Sequence, residues 1–93
     1  MDIQHSFNGQ KGSYYIKQND ILLAEMTYVM SGEASFIIDH TFVDSSLKGQ
    51  GIGRKLLDNL IEYARVNHLK IIPLCPFAKS VFDKDETIRD VLK

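Results

Sequence analysis

Tryptophan is absent from this chain of 93 residues, proline occurs twice and cysteine once. A single cysteine, Cys75, excludes an internal disulfide framework. His5, His40 and His68 lie far apart, so no Cys/His spacing suits a metal ion. An excess of one charge is missing as well. Eleven Lys+Arg stand against 12 Asp+Glu, and the formal net charge of -1 removes the general electrostatic case for nucleic acid or an anionic membrane. No apolar run approaches the length of a membrane span. The opening MDIQHSFNGQ has neither the basic start nor the apolar stretch of a signal peptide. Together these absences predict one domain over residues 1–93, reduced and cytoplasmic, with no metal, nucleic acid or membrane to bind.

What is present is a small core and a change of period halfway along. Hydrophobic content of 44% suits a modest self-sufficient core. Ile3–Asn8 reads as a strand before the Gly-rich turn GQKG, and Ser13–Gln18 as an aromatic, β-branched strand. Asn19-Asp20 marks a tight hairpin reversal, followed by strands at Ile21–Met30 and Ala34–Val43 with SGE between them. Short connections among four consecutive strands predict an antiparallel meander. From Ile52 the apolar positions become Leu56, Leu57, Leu60, Ile61 and Ala64, one face of a helix reaching about His68. Leu69–Leu74 is a short fifth strand, left parallel to the fourth by the helical crossover. The remainder reads as helical, with a break between Asp83 and Glu86. The expected class is α+β in layers: a mixed, mostly antiparallel five-stranded sheet with a crossover helix and a C-terminal helical segment.

The stretch SSLKGQGIGRKLL sets Gly49, Gly51 and Gly53 against the start of that helix. Glycine is a poor helix former, so propensity does not explain the choice. The P-loop pattern fails because Arg54 stands five residues after Gly49, and the dinucleotide fingerprint GxGxxG fails from either Gly49 or Gly51. What remains is a basic residue, Lys48, then Gly51 and Gly53, between a strand and an amphipathic helix. Such glycines let the first-turn amides approach an anion that the helix dipole also favours. Arg54 and Lys55 sit where the dipole disfavours cations, and an anion docked there would offset that cost. A flexible loop with solvated basic residues is the plainer alternative.

With those residues in view, VDSSLKGQGIGRKLL resembles motif A of the GNAT superfamily, the acyl-CoA-dependent N-acetyltransferases, whose pattern is Q/R-x-x-G-x-G/A. Lys48 takes the Gln/Arg position. More narrowly, the chain resembles short GNAT-like proteins marked by HTxV, GQGIG and PLCPF segments. These are present as His40–Val43, Gly49–Gly53 and Pro73–Phe77. The resemblance implies a minimal GNAT-like fold that binds acetyl-CoA or coenzyme A. The backbone amides of Lys48, Gly49, Gln50, Gly51, Ile52, Gly53 and Arg54 would cradle the pyrophosphate, and Phe42 and Val43 would pair with the pantetheine arm. It also implies transfer of an acetyl group to an amine, small molecule or protein. GQKG leaves no room for the two helices that help build the acceptor site in larger members, so the acceptor is unread.

Acyl transfer to an amine needs a base for the amine and an acid for the departing thiolate. Many GNAT enzymes use a tyrosine after the fifth strand, where this chain has Val81 and Phe82. Cys75 is the substitute candidate. Followed by Pro76, it reads as a helix N-cap whose thiol pKa would fall from about 8.5. It would then serve as acid or as acyl acceptor, against the alternative of a buried, inert cysteine. Pro73 lacks an amide hydrogen, which suits a fifth strand that splays from the fourth. His40 is the candidate base. Alternation places His40 with Ile38 and Phe42 and turns Asp39 the other way, so a packed core histidine competes with that role. Asp44, Ser45 and Ser46 read as turn and capping groups, and Lys79 and Lys84 as solvated charges. Three functions follow: a small N-acetyltransferase, a non-catalytic acetyl-CoA-binding or sensing module, and a protein acylated on Cys75.

Overall fold

In the computed structural model, which describes residues 2–93, five strands form one sheet in sequence order. They are β1 (Gln4–Phe7), β2 (Lys11–Gln18), β3 (Ile21–Met30), β4 (Ser35–Val43) and β5 (Lys70–Pro73). The first three pairings are antiparallel and β4–β5 is parallel, as the crossover requires. Asn19 and Asp20 both hold positive φ, at 50° and 64°, the turn chemistry that closes the β2–β3 hairpin. Helix α1 (Ile52–Asn67) buries the stripe Ile52, Leu56, Leu57, Leu60, Ile61 and Ala64. It lies on sheet residues of equal burial, among them Ala24, Met26, Phe36 and Ile38. Helix α2 (Pro76–Lys84) follows β5, and a 3-10 turn over Glu86–Val91 comes after the break at Asp85. Both helices share that one core, and the shortest extent of the molecule is 20 Å, enough for one sheet and one helical layer.

The GQKG segment is less of a turn than expected, because β2 starts at Lys11 and carries Gly12 inside the strand. The cause lies one strand away. The Tyr28 ring, 1% exposed, stands over Gly12 so closely that a Cβ there would lie 2.3 Å from its Cζ. Tyr28 is ringed by His5, Phe7, Phe36 and Tyr63, and its hydroxyl lies 2.6 Å from His5 Nε2. His5 in turn stacks flat on Tyr14, with ring centroids 4.1 Å apart. Burial lowers the His5 pKa from its usual 6.5 and raises that of Tyr28.

A register shift in β4 corrects the expected alternation. Tyr28 pairs with Ile38 but Thr27 pairs with His40, so Asp39 is an extra residue in a β-bulge. A one-residue insertion reverses every side chain beyond it. Phe36 and Ile38 point into the core, whereas His40 is exposed and Phe42 is 38% exposed. The packed core histidine is therefore overturned: His40 is exposed, as is Asp39, whose Oδ1 accepts a hydrogen bond from Thr27 Oγ1 at 2.6 Å. Thr41 and Val43 take the inward positions instead, Val43 packing against the core.

Candidate functional site

Strands β4 and β5 pair only from Ser35 to Ile38 on one side and Lys70 to Pro73 on the other. Pro73 ends the ladder as its missing amide hydrogen suggests. The next two amides, Leu74 N–H and Cys75 N–H, both donate to the Ile38 carbonyl, at 3.1 and 3.0 Å. That shared acceptor turns the chain into α2 and away from the rest of β4. Residues 39–43 consequently have no ladder partner on the β5 side. A groove of about 550 Å³ opens there, between the free part of β4, the amino end of α1 and the first turn of α2.

The loop leading into α1 is tied down at one end and open at the other. Asp44 caps a 3-10 turn over Ser45–Leu47, accepting from Ser46 N–H at 3.0 Å and Ser46 Oγ–H at 2.5 Å. Those bonds hold its carboxyl below the usual carboxylate range. Leu47 anchors the turn in the core. Gly49 and Gly51 then adopt φ of 79° and 69°, and no atom lies within 4 Å of where a Cβ would stand on either. Gly51 is the left-handed N-cap of α1, with no side chain bonded to the cap and no acidic residue in the first turn. The first helical bond runs from Lys55 N–H to the Gly51 carbonyl, so the amides of Ile52, Gly53 and Arg54 precede the helical ladder. Gly53 serves a different need: a Cβ there would lie 2.9 Å from Cζ of Phe77. Two glycines give the loop its path, and the third admits a ring from α2.

Arg54 behaves otherwise than the sequence implied. Its Nε donates to Asp58 Oδ1 and its Nη2 to Asp85 Oδ2, each at 2.8 Å. The unfavourable charge at the helix start is thus balanced within the chain, and no bound anion is needed for that purpose. Asp85, which also accepts from Thr87, is held down at about 2, chiefly by the Thr87 hydroxyl and then by Arg54. The guanidinium so placed ties the start of α1 to the end of α2.

Of the residues singled out from sequence, His40, Val43, Lys48, Gly49, Gly51, Ile52, Gly53, Arg54 and Cys75 line the groove. The side chains of Phe42 and Gln50 do not, because the bulge turns Phe42 outward and Gln50 is exposed in the loop. Cys75 is both the N-cap residue of α2 and buried, at 3% exposure, so the two readings of it coincide. Its side chain makes no cap hydrogen bond; its sulfur instead lies 2.9 Å from Thr41 Oγ1. Among the described residues no hydrogen bond joins His40 to Cys75. The sequence reading missed Asp39, Thr41 and Phe77. Thr41 and Phe77 lie within the quoted HTFV and PLCPF segments, but their facing depends on the bulge and on the α1–α2 contact. Among the described residues there is no group of three or more metal-ligating side chains. Nor, among those residues, is any helix long and apolar enough to cross a membrane.

The fold and the glycine loop at a strand-to-helix junction define a GNAT-type layered sheet, and comparison with known proteins supports that class. The sequence model of the GCN5-related N-acetyl-transferase family matches residues 13–91, and the chain belongs to this family. It is similar to a GCN5-like protein of Staphylococcus aureus: 38% identity, TM-score 0.74, 98% of this chain and 88% of that one covered. Larger structures share the fold alone. Tetrahymena GCN5 aligns with TM-score 0.65 at 15% identity, over 84% of this chain and 51% of that one. A GNAT family acetyltransferase from Elizabethkingia anophelis, solved with acetyl-CoA bound, aligns with TM-score 0.62 at 18% identity, over 81% and 52%. No curated protein sequence matches the chain.

Proposed function

We propose that residues 1–93 form one acetyl-CoA-binding domain that transfers the acetyl group to an amine. The observation that carries this reading is the left-handed Gly51 cap, which presents the unpaired first-turn amides of α1 to a groove beside the parted β4 and β5 strands. Amides of residues 48–54 would hold the pyrophosphate, with the helix dipole adding to their attraction. The free edge of β4 at Phe42 and Val43 would accept the pantetheine arm as an added strand, a role for their backbone that does not depend on where the Phe42 ring points. His40, exposed at the groove, would take the proton from the amine. Cys75, at its buried wall, would return a proton to the departing thiolate. A cytoplasmic, reducing setting keeps that thiol free.

One observation favours a second reading. Cys75 lines the same groove, where its sulfur would accept the acetyl group itself. Both readings start from coenzyme A binding, and a titration followed amide by amide tests it. Shifts are expected over residues 48–54 and at Val43, and Gly51→Val should lose them while its thermal melt stays cooperative. Left-handed backbone costs a β-branched residue roughly 1–2 kcal/mol, too little to unfold the domain but enough to move the loop. An unchanged titration of the folded variant would sink the assignment. Thiol release from acetyl-CoA with and without a panel of primary amines then separates transfer from simple binding.

A further inference from the structure

We infer that Thr41 is the positioning residue for the Cys75 sulfur, donating its hydroxyl hydrogen to it and so favouring the thiolate. This rests on the acetyl-CoA reading of the groove and decides between the two roles left for Cys75, in favour of acyl acceptor. Three facts combine. The bulge at Asp39 brings Thr41, not His40, to the inward face of β4. The shared Ile38 carbonyl fixes the backbone of Cys75 opposite it. The Oγ1–Sγ distance is 2.9 Å, a contact in which either atom can donate, at a cysteine that is 3% exposed and lines the groove. Had the strand alternated without interruption, the imidazole would face the sulfur and the threonine would face away from it. The bulge therefore exchanges a base for a neutral donor.

A neutral donor stabilises charge on sulfur without taking its proton. The step it serves is thioester exchange. The Cys75 thiolate attacks the acetyl carbon, the bond from that carbon to the coenzyme A sulfur breaks, and a bond to Cys75 Sγ forms. The proton lost by Cys75 ends on the coenzyme A thiol, while Thr41 keeps its own. No oxidant or other reactant is required. The titratable groups sharing the groove with Cys75 are Asp39 and His40 of β4, Lys48 of the loop and Arg54 of α1; α2 contributes none to the lining.

Cys75 is the chain's one cysteine, so reagent uptake reports on it alone. The test follows iodoacetamide alkylation against pH by intact mass, in the wild type, Thr41→Val and Thr41→Ser. Thr41→Val should move the alkylation inflection up by about one unit relative to wild type, and Thr41→Ser should restore it. With acetyl-CoA at pH 7, Thr41→Val should acquire the acetyl mass roughly tenfold more slowly, with coenzyme A affinity within about twofold of wild type. Loss of affinity in the wild type would count against the groove assignment, not against Thr41. An inflection that ignores the valine, or a native thiol that never alkylates, overturns the role of Thr41. Because Thr41→Val depends on folding, Thr41→Ser serves as the folded control, and an alkylation rate at pH 7 in Thr41→Ser no faster than in Thr41→Val overturns the role equally.

Discussion

The two ends of this sheet are built on opposite plans. Toward β1, the strands close on a set of rings: His5 lies against Tyr14, Tyr28 and Tyr63, Tyr63 lies against the other two tyrosines, and a hydrogen bond joins His5 to Tyr28. Toward β5, two strands that begin as partners separate after four residue pairs and leave a groove lined by the end of β4 and by Cys75. Each end depends on a glycine set against an aromatic ring, Gly12 under Tyr28 and Gly53 under Phe77. The difference lies in what surrounds the ring. Tyr28 is sealed, and Phe77 is 37% exposed. That contrast predicts rigidity away from the groove and tolerance beside it.

Adding one methyl group at each glycine breaks the comparison most directly, and Gly12→Ala gives the largest effect. Its Cβ would lie 2.3 Å from Tyr28 Cζ and 2.4 Å from the hydroxyl oxygen, in a ring with no free space to enter. Overpacking of a sealed core costs about 3 kcal/mol, or roughly 15 °C in melting temperature for a chain of this size. A thermal melt by circular dichroism reads it. A fall of under about 3 °C would show that the ring shifts freely and that the closed end is not rigid.

A smaller effect comes from acid. Burial holds the His5 pKa below 6.5, so the unfolded chain takes up the proton before the folded one does. This contribution to stability is complete above about 6.5 and is lost as pH falls through the lower folded value. Melting temperature should therefore decline between pH 7 and 5, and His5→Gln should flatten that decline. An equal slope in the variant would mean that protonation at the ring cluster is not what acid acts upon.

Legibility in the sequence follows the same division. Helix α1 announced itself because its apolar stripe repeats on a local period, and the reading to about His68 agrees with Ile52–Asn67. The meander, the parallel fifth strand and the break before Glu86 were likewise carried by neighbours in the chain. The glycine loop was legible through its motif. Features that depend on distant partners were not. Gly12 looks like a turn glycine until Tyr28 is placed above it. Arg54 looks unbalanced until Asp85 approaches from the far end of α2. The bulge at Asp39 leaves no mark in composition, yet it decides whether His40 or Thr41 meets Cys75.

The smallest effect should come from Gly53→Ala, the same methyl group added at the open end. The new Cβ would lie 2.9 Å from Phe77 Cζ and 3.1 Å from Cε2, so the ring must turn. Phe77 stands on the second position of α2 at the edge of the groove, where rotation meets solvent and not packed atoms. Against that adjustment stands a gain in helix propensity of roughly 1 kcal/mol, because the residue lies in the first turn of α1 with ordinary helical backbone. The two terms oppose each other and should nearly cancel. The melting temperature is expected to stay within about 5 °C of wild type, on the scale of 1 kcal/mol for a domain this small. A coenzyme A titration should meanwhile show altered shifts at Phe77 and weaker binding of a few-fold, since the displaced ring narrows the groove. If Gly53→Ala lowers the melting temperature as far as Gly12→Ala, Phe77 is locked as firmly as Tyr28, and the groove is no looser than the sealed end.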